Sequence, residues 1–201
     1  MPSLPDDLQQ ILTQIDELDR AADTLVTPLS DEQFHWQPDQ GRAWSIALCI
    51  EHLATANRVY AEPMRAAMDA ARSKNLKRKG PIKSTVFGRM FASSMEPPVK
   101  RRMKAPAKIL PPSNGTRTDI LKRYHEAHAN IRQMILESAD IDANRATFTN
   151  PFISLVRVRV GTAFHIIAAH DRRHLWQAEQ VLKAPGFPAF AEASAGRPRL
   201  G

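Results

Sequence analysis

Residues 168–182 read AAHDRRHLWQAEQVL, a stretch of strong helix formers that contains neither glycine nor proline. His170 and His174 are four positions apart in this stretch. Residues at that spacing lie on the same face of an α-helix, one turn apart. Two imidazoles placed in this way can bind a single metal ion, so the stretch predicts a helix that contributes two ligands to a metal site.

A second helical stretch, WSIALCIEHLATANRVY at residues 44–60, contains a third histidine, His52, on its apolar face. Three neutral imidazoles from two packed helices would hold a divalent metal and leave one coordination position open. Catalytic zinc sites have this arrangement, whereas structural zinc sites are closed by a fourth protein ligand. We therefore predict His52, His170 and His174 as ligands of one metal. Imidazole suits zinc, nickel, copper and iron, so these residues leave the identity of the metal open.

Apolar residues recur every three or four positions in four segments, which is the periodicity of amphipathic helices. The segments run from about residue 4 to 26, 45 to 71, 116 to 138 and 162 to 182. Ser45 is a suitable N-cap for the second segment, and Pro63 should kink or interrupt it. The pattern predicts an all-α fold, a four-helix bundle over residues 1–184, followed by a flexible tail over residues 185–201.

Positive charge is concentrated between the second and third predicted helices. Residues 72–108 contain twelve lysines or arginines and one acid, Glu96, whereas the whole chain has a net charge of +7. The connection over residues 72–115 is rich in proline, and its length of about 45 residues would let the flanking helices run parallel through a crossover. It contains none of the three candidate ligands. We expect it to be peripheral to the chemistry, either as a solvated loop or as a lid that contacts anionic ligands.

The composition is that of a globular chain, with 43% hydrophobic residues and one cysteine, Cys49. A single cysteine permits no intrachain disulfide and fits a reducing compartment. The N-terminal residues lack the basic and apolar segments of a signal peptide. No apolar stretch approaches the roughly 20 residues that a membrane span needs. We therefore expect a cytoplasmic protein without a membrane partner.

Three segments together resemble the DinB-like superfamily of four-helix metalloenzymes. They are LSDEQFHWQPDQGRAWSIALCIEHLA (29–54), NPFISL (150–155) and AFHIIAAHDRRHLWQAEQV (163–181). The positions that match the family pattern are Trp44, Ser45, His52, His170, His174 and Gln177. The resemblance implies a bundle that binds a divalent metal, such as Zn, Ni or Fe, through three histidines at one end. Some relatives are S-transferases or isomerases that use low-molecular-weight thiols, so the resemblance also implies a small-molecule substrate.

Further polar residues adjoin the candidate ligands. Those next to a ligand or about one turn from it are Glu51, Asp171, Gln177 and Glu179. Gln177 is best placed to hydrogen-bond the second ring nitrogen of His174, a contact that metal-bound histidines usually make. His128 shares the apolar face of the third helix and is a candidate for lining the cavity. We expect His35 and His165 to serve in local packing or to lie at the surface.

Two classes of function remain open from the residues alone. The first is a metal-dependent enzyme, in which the open coordination position holds water for hydrolysis or a thiolate for S-transfer. The second is a non-catalytic protein that binds nucleic acid or another polyanion through residues 72–108. That segment offers only Phe87 and Phe91 for base stacking, and no recognised nucleic-acid motif accompanies its charge. A homodimer is compatible with either class.

Overall fold

The protein is described by a computed structural model that covers residues 3–99, 105–112 and 115–189. In chain order, the helices of these residues are α1 (Asp6–Val26), α2 (Asp31–His35), α3 (Ile46–Ser73), α4 (Val86–Met95), α5 (Arg117–Glu137) and α6 (Val160–Leu182). Two strands, β1 (Thr147–Thr149) and β2 (Arg157–Arg159), pair in antiparallel orientation. The prediction of a mainly helical fold is confirmed, and α1, α3, α5 and α6 correspond to the four predicted helices.

Side-chain hydroxyls at several N-caps show why the helices begin where they do. Ser45 accepts a hydrogen bond from the backbone N–H of Leu48 at the start of α3, and Thr116 does the same for Asp119 at the start of α5. Each contact satisfies one of the backbone donors that the first helical turn leaves free. The predicted N-cap at Ser45 is therefore confirmed.

Two ion pairs define the relative direction of α3 and α5. Arg123 of α5 binds Glu51 near the start of α3, and Glu137 at the end of α5 binds Arg65, two-thirds of the way along α3. Because the partners follow in the same order along both helices, α3 and α5 run parallel. The bundle core lies between these helices, α1 and α6, and its largest fully buried side chains include Tyr124, Phe34, Phe164, Leu8, Ile11 and Ile50.

Of the two effects predicted for Pro63, a kink or an interruption, the interruption is wrong, because α3 continues through this residue over its full 28 residues. A proline inside a helix removes one backbone hydrogen bond and costs about 3 kcal/mol when nothing compensates for it. Here Ala61, Met64 and Met68 are buried in the core on both sides of the proline. Burial of the apolar face therefore holds the helix together where local propensity alone would break it.

The basic connection contacts the bundle at several points, whereas its described lysines are exposed, so it matches the expectation of a solvated loop only in part. The Arg78 guanidinium contacts both carboxylate oxygens of Asp7 at 2.6 and 2.7 Å. Glu96 accepts two hydrogen bonds from Arg172 of α6, at 2.6 and 2.8 Å. Met95, at the end of α4, is buried in the core. The connection is thus fastened to α1 and α6 by ion pairs and apolar contacts.

Gly88 allows α4 to approach α6 closely. A Cβ added at this position would overlap the Cγ2 methyl of Thr162, which is buried and branched at Cβ and cannot easily move away. We expect Gly88→Ala to lower the free energy of unfolding by about 1–3 kcal/mol, the usual cost of overpacking. Denaturant unfolding measures this change. Adding Thr162→Ser deletes the obstructing methyl and should restore part of the loss; an unchanged stability of Gly88→Ala alone would show that α4 does not pack as described.

The segment after α6 begins by packing against the bundle. The Phe187 ring makes an edge contact with Trp36, and the Gln33 amide donates to the backbone carbonyls of Pro188 and Ala189. Residues 187–189 thus contact the bundle, and the flexible tail stays a prediction because residues 190–201 lie outside the described part of the chain. Among the described helices, none has the length and apolar character that crossing a bilayer requires.

Candidate metal centre

Three histidines from two helices meet between α3 and α6. His52 lies in the second turn of α3, and His170 and His174 lie one turn apart on α6. The three candidate ligand nitrogens, one from each ring, lie within 4.8 Å of one another. Nε2 of His52 is 3.2 Å from Nε2 of His170. The helical spacing that predicted the metal site thus does bring the three rings together.

Hydrogen bonds to Nδ1 determine which ring nitrogen faces the centre in two of the histidines. Nδ1 of His52 donates to the backbone carbonyl of Ile109 at 2.7 Å, since a carbonyl oxygen can only accept. Nδ1 of His174 is 3.0 Å from Oε1 of Gln177, the contact that the sequence predicted. Both contacts fix Nδ1 as the protonated nitrogen and leave the lone pair of Nε2 free for a metal.

The third histidine, His170, has a carboxylate on its Nδ1 side. Oδ1 of the neighbouring Asp171 lies 3.8 Å from this nitrogen, and the Asp171 side chain is fully buried. Asn57 of α3 donates to Asp171 from its amide, at 3.1 Å to Oδ2. Asp171 was one of four sequence candidates for supporting a ligand, and the structure places it behind the histidine cluster.

Two other sequence candidates do not support the ligands. Glu51 turns away from His52 and accepts hydrogen bonds from both Nε and a terminal nitrogen of Arg123. Glu179 is exposed on α6. A position close to a ligand along a helix does not determine which helix face the side chain lies on. Both side chains lie away from the histidine cluster.

Burial keeps two of the imidazoles neutral. Burial, reinforced by the nearby His170, lowers the pKa of His52 from 6.5 to about 4. Burial is also the main cause that lowers the pKa of His174 to about 2, with further contributions from His170 and His52. Neutral imidazole is the form that binds a metal. At neutral pH these two side chains therefore need not lose a proton before they coordinate.

Trp44 forms a wall of the site. Its ring centroid lies 4.9 Å from that of His52 and 5.8 Å from that of His174, and the Trp44 and His174 rings are stacked. The half-buried Trp44 side chain packs directly on two of the candidate ligands. Trp44 thus restricts the orientation of both rings and reduces water access from its side.

The contact between Ile109 and His52 was not foreseen from the sequence. Ile109 belongs to a short 3₁₀ turn, Ala107–Ile109, at the end of the basic connection. Its partner atom is a backbone carbonyl, which carries no residue-specific signal in a sequence. The expectation that the connection is peripheral to the site is therefore wrong at its C-terminal end, because this end orients one of the three histidines.

The donor set fits a divalent transition metal. Within the described residues, the cluster of potential ligands consists of the three histidines and includes no carboxylate or thiolate. Zinc, nickel, copper and iron all accept imidazole nitrogen. The 3.2 Å approach of Nε2 of His52 to Nε2 of His170 also indicates a cation site, because a cation there could accept a lone pair from each nitrogen.

Comparisons relate the chain to one protein family and to one solved structure. The sequence profile of the DinB superfamily matches residues 14–178. Among solved structures, the chain is similar to YfiT from Bacillus subtilis, described as a probable metal-dependent hydrolase with an unusual four-helix bundle topology. The TM-score is 0.57 at 13% identity, and the alignment covers 91% of this chain and 90% of YfiT. No curated protein sequence matches the chain.

Proposed function

The protein belongs to the DinB superfamily, and from this membership and the histidine cluster we propose that it is a divalent-metal-dependent enzyme that hydrolyses a small molecule. The ligands in this proposal are His52, His170 and His174. The observation that carries it is the convergence of these side chains, two of which have Nδ1 hydrogen-bonded and Nε2 free. The description of YfiT as a probable metal-dependent hydrolase supports the reaction class, although at 13% identity the likeness establishes only the fold.

A divalent metal held by His52, His170 and His174 would supply Lewis acidity, which is the chemistry that activates water for hydrolysis or a thiol for S-transfer. The chain's own contribution is orientation. Ile109 and Gln177 fix the tautomers of His52 and His174, and Trp44 packs against both rings. These contacts hold the ligands in place before a substrate arrives, so little reorganisation is needed during the reaction.

The same donor set favours a second candidate, transfer of a low-molecular-weight thiol to an electrophile. Because the cluster contains no carboxylate, its ligands add no negative charge, and an anionic thiolate is well accommodated. The two candidates share the metal and the three histidines and differ in the nucleophile. Zinc, nickel and iron remain the candidate metals for both.

The alternative of a polyanion-binding protein is weakened by contacts of the basic connection. Arg78 is bound to Asp7, and Arg72 to Asp69 and Glu137. Cations that are neutralised in this way attract a polyanion less than free surface cations do. This alternative predicts an affinity for nucleic acid that falls steeply with salt, which a filter-binding titration at two salt concentrations would measure.

Metal analysis followed by activity assays tests the proposal. We expect about one divalent metal per chain after reconstitution with zinc, nickel or iron(II), consistent with a single three-histidine site. A panel of activated esters and amides tests hydrolysis, and an electrophile offered with a panel of thiols tests S-transfer. Activity should disappear on chelation and return when metal is restored. A protein that binds no metal, or turnover that survives complete chelation, would contradict the proposal.

A further inference from the structure

A line of buried polar side chains crosses the core behind His170. It starts at Asp171, whose Oδ2 lies 3.2 Å from Nε2 of His128 on α5. Nδ1 of His128 lies 2.7 Å from Oδ1 of Asp19 on α1. The side chains of Asp171 and His128 are both 0% exposed. None of these side chains is required for a helical bundle as such, since apolar residues would fill the same space.

The line ends at the edge of the bundle. The Arg132 guanidinium pairs with Asp19 and also with Asp16, the latter at 2.7 Å from Nε. Arg132 is partly exposed, so the charge at this end reaches solvent. The line therefore connects all four long helices, with Asp19 on α1, Asn57 on α3, His128 and Arg132 on α5, and Asp171 on α6.

The position of the line relative to His170 indicates its role. Ionised groups inside a core are costly unless they are paired, and replacing them by apolar residues is often neutral or stabilising. A buried carboxylate on the Nδ1 side of a metal-binding histidine has a recognised use, which is to accept the Nδ1 proton and orient the ring. Asp171 lies on that side of His170, 3.8 Å away, longer than a hydrogen bond but within ion-pair range.

His128 lies between two carboxylates, with one ring nitrogen 2.7 Å from Asp19 and the other 3.2 Å from Asp171. Each ring nitrogen of His128 is close to a carboxylate oxygen, although neither contact has the geometry of a hydrogen bond. Tyr124 packs on the His128 ring at a centroid distance of 4.2 Å and restricts its movement.

We propose that His128 is a positioning residue of the metal centre. It holds the Asp171 carboxylate next to Nδ1 of His170, so that His170 presents Nε2 to the metal. Asp19 and Arg132 hold His128 in turn from the other side of the core. This inference rests on the proposed three-histidine metal site. It adds a residue of α5 that supports the site without binding the metal.

His128→Gln tests the proposal, and His125→Gln is a matched control. His125 lies on the same helix, three residues earlier, and contacts Asp23 at the surface. Co²⁺ affinity is measured by competition with a chromophoric chelator, and the Co²⁺ absorption spectrum reports the ligand geometry. We expect His128→Gln to weaken Co²⁺ binding about 10–100-fold, as loss of an outer-shell partner does, and to change the spectrum. His125→Gln should match the wild type in both measurements.

A double-mutant cycle with Asp171→Asn distinguishes positioning from a general loss of stability. If His128 acts through Asp171, the affinity of the double variant for Co²⁺ should be no lower than that of the single variant with the lower affinity. Circular dichroism must show that each protein is folded at the temperature of titration. If His128→Gln does not fold, Asp19→Asn replaces it in the same titration, with a smaller loss of affinity expected.

The outcomes separate this inference from the proposed function. Wild-type protein that binds Co²⁺, together with an unchanged affinity and spectrum in the His128 or Asp19 variant, would overturn the role of His128 alone. Additive losses in the double-mutant cycle would do the same. A wild-type protein that binds no Co²⁺, Zn²⁺ or Ni²⁺ would overturn the proposed metal site and this inference with it.

Discussion

Replacing His170 with alanine is expected to weaken metal binding by more than about 100-fold, beyond the usual effect of losing an outer-shell partner. His170 supplies one of three nitrogens that converge within 4.8 Å, so its loss leaves two ligands and a site open to solvent. The helical bundle should remain folded, because its stability comes mainly from apolar packing. Competition titration and circular dichroism on the same samples measure the two effects.

His165→Ala is the matched control for this experiment. It makes the same substitution on α6, five residues earlier, at a half-buried histidine that is not part of the cluster. Its metal affinity should equal that of the wild type. If His170→Ala loses helicity together with the metal, the site is structural rather than catalytic. If His170→Ala binds metal as tightly as the wild type, His170 is not a ligand.

The metal-free protein is expected to lose about 3 kcal/mol of stability between pH 6.5 and pH 4 through His52 alone, at 1.36 kcal/mol for each unit of pKa shift. The pKa of His52 is about 4 in the folded protein and 6.5 in an unfolded chain. In this window the unfolded state binds more protons, so the free energy of unfolding falls as the pH falls. His174 adds to the loss and extends it toward its own pKa of about 2.

Denaturant unfolding at a series of pH values, in the presence of a chelator, measures this dependence. Asp171, whose pKa lies below its usual range, contributes stability that is lost only as the pH falls below about 4, so it does not affect the upper window. His52→Asn is the informative variant, since its amide can still donate to the Ile109 carbonyl but does not titrate. Its stability should fall less between pH 6.5 and pH 4. An equal fall in both proteins would show that His52 is not buried in a neutral form.

Much of the fold and the core of the site follow from local sequence patterns. The apolar periodicity located the four long helices to within a few residues, because such helices must bury one face whatever their neighbours are. The spacing of His170 and His174 is also a local property of one helix. Gln177, one turn further along, was identified for the same reason, and the structure shows its contact with His174.

The rest of the site depends on contacts between elements that are distant in sequence. His128 is 43 positions from Asp171 and 109 positions from Asp19 along the chain. Contacts over such separations follow no periodic pattern that can be recognised in a sequence. The Ile109 carbonyl is a backbone group, so the amino-acid sequence gives no indication of its contact with His52. An interruption at Pro63 was wrongly predicted for a related reason, since tertiary packing of α3 overrides the local preference of proline.

An anomalous-scattering map from crystals of the metal-loaded protein, collected on both sides of the metal absorption edge, tests the three-histidine site directly. We expect one peak between α3 and α6, bound by Nε2 of His52, His170 and His174, at ~2.0–2.1 Å if the metal is zinc. A peak at another place, or no peak at these three histidines in a crystal that contains the metal, would contradict it.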